Sequence, residues 1–259
     1  MGKADIIRIE NSADDLSRYE ELLLRRDSLR KKAEQYQISY FKEFGDLIVE
    51  SFTIRIECIK KKKIIAYCQQ QVNHGKLING AQLDHFIERE MLEYQNDLDA
   101  MIRHNKAVKE SETVSEYDLY RIKKMYYGLA KLIHPDLHPE YEDDLQLMEF
   151  WNKIVLAYEH NQLQDMEELD FQVRKYLEDI DNGDPVSIIP DIGKKIRGVE
   201  EEIDRITNTE PYLYRLLLED EESSAAKKDE LKAEIGSYRD YSKQLDEIIE
   251  QFTIERNYS

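Results

Sequence analysis

Residues 131–140 read KLIHPDLHPE and set two of the chain's five prolines four residues apart, directly behind an apolar, lysine-bearing segment with helical spacing. Proline lacks an amide proton and disfavours the helical conformation in the residue before it, so a helix is expected to close at Ile133 and His134. The turn that follows is expected to be rigid and to present His134, Asp136 and His138 to solvent.

Composition sets the surroundings of that turn. With 259 residues the chain has room for one or two domains at about 150 residues each. Charged residues make up 36% and there are only nine glycines, which suits long solvated helices and predicts an all-α protein. The net charge of -18 repels nucleic acid and anionic membrane surfaces, so neither is expected as a partner. The block Lys60–Lys63 reads as a solvated helix face. Cys58 and Cys68 have no CxxC partner and no metal-ligand spacing; buried, reduced thiols are expected, and no cofactor. The first fifteen residues hold no apolar core of a secretion signal, and no apolar run approaches the ~20 residues of a membrane helix. A cytoplasmic location is expected.

Upstream of the turn, Leu16, Leu23, Leu24, Leu29, Tyr36, Tyr40, Phe44 and Leu47 or Ile48 recur mostly at helical intervals of three or four. The stretch Phe52–Cys58 alternates apolar and polar residues as a half-buried strand would. No turn signal lies between Asp46 and Val72, however, so helix is the expectation. NHGKLING (73–80) is the first clear turn, and Leu83, Ile87, Met91, Tyr94, Leu98, Met101 and Ile102 then form one helical stripe, expected to pack antiparallel on the first. Residues 1–110 thus read as an N-terminal helical hairpin or stalk. Thr113 with Glu116 fits a capping box that opens the helix leading into the turn. DNGDPVSIIP (181–190) reads as a linker. Beyond it, Asp191 is placed to cap a helix, and the stripe Ile192, Ile196, Val199, Ile203 and Ile206 is expected to pair with Leu231, Ile235, Tyr238, Leu245 and Ile249. The division is 1–110, 111–182 and 183–259, with a coiled-coil-like hairpin on each side of the module that carries the turn. Long amphipathic helices of this kind can close on themselves or on a second copy, as a homo-oligomer.

The segment IKKMYYGLAKLIHPDLHP (122–139), followed by FWNKIVLAYEHN (150–161), resembles the J-domain, the module by which DnaJ-type co-chaperones engage DnaK-type ATPase chaperones. Ile122, Lys123, Lys124, Tyr126, Leu129 and Ala130 match that family's second helix, His134, Pro135 and Asp136 its signature loop, and Trp151, Ile154, Ala157 and Tyr158 its third helix. The resemblance implies an HPD loop at the tip of a helical hairpin. His134, Pro135 and Asp136 would contact the chaperone and promote its ATP hydrolysis, Lys123, Lys124 and Lys131 would supply a positive helix face, and Tyr126 would belong to the contact set. Tyr127, Gly128 and Leu137 stand where the family usually carries basic residues. No nucleotide-binding glycine loop or nucleophile elbow occurs, so an enzyme is not expected. The competing expectation is a structural coiled-coil scaffold with a degenerate J-like fold, whose stalks bind client or scaffold proteins.

Overall fold

The computed structural model describes residues 13–110, 114–180 and 189–254. All regular structure among them is helical, and none of the helices is long and apolar enough to cross a membrane. The chain divides into two compact units. One takes the chain up to Glu34 and from Glu112 to Tyr212; the other runs from Gln35 to Ser111 and from Leu213 onward. The first helix, α1 (Ala13–Asn73), contributes to both.

The second unit is built on the 35–73 part of α1. After the reversal at 73–80, where Gly75 adopts the left-handed region at φ +65°, α2 (Gly80–Glu110) returns antiparallel: Tyr67 meets Phe86, Lys63 bonds Glu90, and Phe41 meets His104. Ile56, Ile87, Met91 and Leu98 form the shared core, whereas Ile102 at the end of the expected stripe faces solvent. The stretch 52–58 is helical, and its strand-like alternation has a structural cause. Residues two apart in a helix differ by about 200° in direction, so alternation marks a helix with neighbours on both sides. Ile56 packs on α2, while the Cys58 thiol meets the Tyr238 carbonyl at 3.4 Å. Tyr238 lies on the last helix, α8 (Glu221–Ile254), which follows the short α7 (Arg215–Leu218), with α3 to α6 lying earlier in the chain. The lysine block holds this arrangement together: Lys61 bonds Ser242 and Asp246 of α8, and Lys63 bonds Glu90 of α2.

One contact sets the fit of α1 against α2. Asn105 is buried, its Nδ2 donates to Asp46 at 3.0 Å, and its Oδ1 lies 2.0 Å from where a side chain on Gly45 would begin. A glycine inside a helix costs about 1 kcal/mol relative to alanine, and here the missing Cβ is the space that Asn105 fills. Gly45→Ala should therefore destabilise the wild type but stabilise an Asn105→Ala background by about 1 kcal/mol. Urea unfolding of the four chains in a double-mutant cycle checks this; additivity would mean that the two side chains do not share that space.

The first unit contains α3 (Glu116–Ile133), α4 (Leu145–Glu159), α5 (Leu163–Asp179), α6 (Ile192–Thr207) and the 13–34 part of α1. His134 at the end of α3 meets Trp151, and Tyr126 further back stacks on Tyr158, so α3 and α4 run antiparallel. Two cores result. Leu24 joins Ile122, Leu129, Ile133, Leu147, Ile154, Met166 and Val173 in one; its neighbour Leu23 joins Tyr19, Leu137, Ile189, Ile192, Ile196, Val199 and Ile203 in the other. The expected pairing of the 192–206 stripe with the 231–249 stripe is thus corrected. Ile192, Ile196, Val199 and Ile203 pack with Tyr19 and Leu23 of α1 instead.

Two caps also differ from expectation. Ser115, not Thr113, caps α3, its Oγ accepting the Asp118 amide at 3.1 Å; Thr113 lies outside the described residues, as do 1–12 and most of the expected linker. Asp191 sits in the left-handed region at φ 51° with no side-chain cap, and its carbonyl accepts the Lys194 amide instead.

Candidate functional site

The helix closes where the prolines require. His134 is extended at φ -61°, ψ 125°, and its amide makes the last helical bond to the Ala130 carbonyl. The turn then folds on itself: the Leu137 and His138 amides both bond the His134 carbonyl at 2.9 Å. The Asp136 amide donates to His134 Nδ1 at 3.0 Å, which leaves the ring proton on Nε2. His138 Nε2 donates to the Lys131 carbonyl at 2.7 Å, one of the acceptors that a helix end leaves without a partner. Its Nδ1 faces Glu140. Asp144 receives the Gln146 and Leu147 amides to open α4. Backbone, both histidines and the two prolines hold the loop in one shape.

Its exposure differs from the expectation. His134 is only 4% exposed, lying against the Trp151 ring at 4.5 Å, whereas the Asp136 side chain remains 43% exposed. Burial holds the His134 imidazole down to about 4, against the opposing pull of Asp136 and Asp27, so the ring is neutral near pH 7. The cover comes from α1. Asp27 is buried between Arg26, at 2.8 Å, and the Tyr126 hydroxyl, which donates to it at 2.8 Å. Tyr126 is therefore a core residue under α1, and desolvation raises its phenol pKa, with the Asp27 charge adding to the effect. Arg26 also faces Glu202 of α6 at 3.6 Å and Asp136 at 4.0 Å. Burial alone would lower the guanidinium's pKa; those three carboxylates outweigh it and raise the pKa instead.

The remaining expected residues divide. Lys131 is exposed but bonds Glu20 of α1 at 2.7 Å. Lys123 is half-buried over the Tyr127 ring at 5.3 Å, and Lys124 is exposed beside Tyr120 and Arg174. Pro135 and Asp136 help line a cleft of about 280 Å³, closed on its other side by Arg26, Asp27, Arg30 and Lys31. Lys31 lies 3.9 Å over the Tyr158 ring and bonds that residue's carbonyl; burial lowers its pKa to about 8. Among the described residues no cluster of His, Cys, Asp or Glu is arranged to hold a metal. The α1 contribution was not visible to sequence reasoning, since Asp27 and Tyr126 are 99 residues apart and Asp27 reads as one more charge in RRDSLRKK (25–32).

Compared with protein-family models, curated proteins and solved structures, the chain matches none.

The buried imidazole makes stability depend on pH with a definite sign. Its folded pKa lies below the 6.5 of a free imidazole. Between the two values the unfolded chain binds the proton more tightly. The contribution is present in full above 6.5 and is lost as the pH falls towards 4, by an amount of about 3 kcal/mol. Urea unfolding followed by Trp151 fluorescence should show the wild type losing about that much more than His134→Gln over this range. Parallel pH profiles would place the imidazole in solvent.

Proposed function

We propose that the protein is a J-domain-type co-chaperone that binds a DnaK-type ATPase chaperone and stimulates its ATP hydrolysis, with no chemistry of its own. The observation that carries this reading is the loop's form. A proline-stiffened His134-Pro135-Asp136 turn sits at the tip of the antiparallel α3–α4 pair, with the Asp136 carboxylate reaching solvent. A pre-formed loop loses little entropy when a partner takes it, which is what a recognition element needs. The roles divide by position. Asp136 offers the exposed charge, Pro135 fixes its direction, and His134 holds the Asp136 amide from within. Lys124, exposed on α3, with Lys123 and Lys131 on the same helix, would steer an acidic partner surface and set salt dependence more than final affinity.

A second reading has one observation in its favour. Tyr126 and His134 are buried, and Lys131 and Asp136 pair with α1. A helical scaffold that keeps the turn only as packing would look the same.

Single-turnover ATP hydrolysis by DnaK-type chaperones of the source cell, with the protein at saturating concentration, separates the two. Wild type should raise the rate, and Asp136→Asn and His134→Gln should abolish the increase. Asp136→Asn is the cleaner probe because its side chain is half exposed; circular dichroism controls for the fold of His134→Gln. If wild type leaves every chaperone's rate unchanged, the scaffold reading replaces this one.

A further inference from the structure

The loop is only partly open to a partner: the Asp136 carboxylate reaches solvent, while α1 lies along its other side. Four helices of the first unit converge on it: α3 and α4 carry it, and α1 covers it with α6 alongside. At the rim, Glu20 of α1 takes Lys131, and Arg26 gathers Asp136 of the loop and Glu202 of α6. Arg30 pairs with the same Glu202. Inside, the loop's own Leu137 is buried among Tyr19 and Leu23 of α1 and Ile192 and Ile196 of α6. Tyr127, facing the same way, donates its hydroxyl to the Leu24 carbonyl at 3.3 Å. Of the seven side chains given chaperone-contact roles by the resemblance, Tyr126, Lys131, His134, Pro135 and Asp136 have α1 beside them in pairing contact or in the shared cleft.

We infer that the 19–31 segment of α1, braced by α6, is a clasp over the His134–Leu137 loop, and that a chaperone reaches the loop only when the clasp opens. This rests on the co-chaperone reading above and adds its regulation. The charge pattern supports it. Glu20 and Asp27 present to Lys131 and Tyr126 the carboxylates that an acidic partner surface would bring, so α1 competes for the same groups. Arg26 is the centre of the closure because one guanidinium, with a side chain 13% exposed, faces carboxylates from α1, the loop and α6. Its removal leaves those three carboxylates without their common counter-charge, and the loop and α6 lose the group that joins them. In the closed state the apparent affinity for a partner falls by the fraction of molecules that are open.

The test uses the full chain with Arg26→Gln and with Glu202→Lys, which loosens α6 at the rim without touching the loop. Far-UV circular dichroism confirms that each variant is folded, and if Arg26→Gln is not, Glu202→Lys decides. Two quantities are read. Acrylamide quenching of Trp151, the chain's single tryptophan and a lining residue of the cleft, reports opening. Titration of a DnaK-type chaperone with ATP turnover as signal reports apparent affinity. Both variants should quench more readily than wild type and bind about tenfold or more tightly. Greater quenching with unchanged affinity would overturn the clasp while leaving the co-chaperone reading in place. Unchanged quenching in folded variants would overturn the clasp whatever the affinity does, since any gain would then belong to charge alone. No turnover response from wild type at saturating concentration would overturn the co-chaperone reading and the clasp with it.

Discussion

The first unit depends on one buried carboxylate. Asp27 comes from the first quarter of a long polar helix, yet it lies out of water, held on one side by Arg26 and on the other by the Tyr126 hydroxyl. Burying an isolated carboxylate is prohibitive, and loss of one partner from a buried ion pair costs about 3–5 kcal/mol. The position of α1 along α3 is therefore tied to the place where both partners reach the same group. From that position follow the stack of Tyr126 on Tyr158, the seating of Leu24 in one core and Leu23 in the other, and the closing of the cleft over the loop.

This arrangement gives a physical account of two residues at which the sequence differs from the J-domain pattern it resembles. Leu137 stands where that family usually has a basic side chain, and here it is buried against α1 and α6. Tyr127, another such position, spends its hydroxyl on the α1 backbone. A lysine at 137 would bring a charge into an apolar cluster. Gly128, the third departure, has only the end of Arg174 within 4 Å of its missing side chain, and nothing in the structure accounts for its choice.

Much of the architecture was legible because local signals sufficed for it. The helix end at Ile133 follows from proline chemistry, the reversal at 73–80 from glycine and asparagine, and the core positions Ile87, Met91 and Leu98 of α2 from periodicity. What could not be read is the choice among partners of equal quality. The Ile192–Ile206 stripe is apolar in the right register for either Leu231–Ile249 or Tyr19 and Leu23, and periodicity alone does not choose between them. The loop was marked by its two prolines and by the resemblance to the J-domain, but its burial was not legible, since the covering groups lie about a hundred positions upstream among ordinary-looking charges. That is why His134, expected at the solvent-facing turn, is found buried.

The notch at Gly45 bears on how the helices of the second unit are kept from sliding. Two antiparallel helices with apolar residues every third or fourth position can exchange one alignment for another a turn away at little loss of buried area. A single polar group at such a seam can forbid the alternatives. Displaced by one turn, Asn105 would lose its bond to Asp46 and meet a full side chain, Phe41 or Val49, in place of Gly45. The one glycine between Gly2 and Gly75 thus acts as a detent for the hairpin.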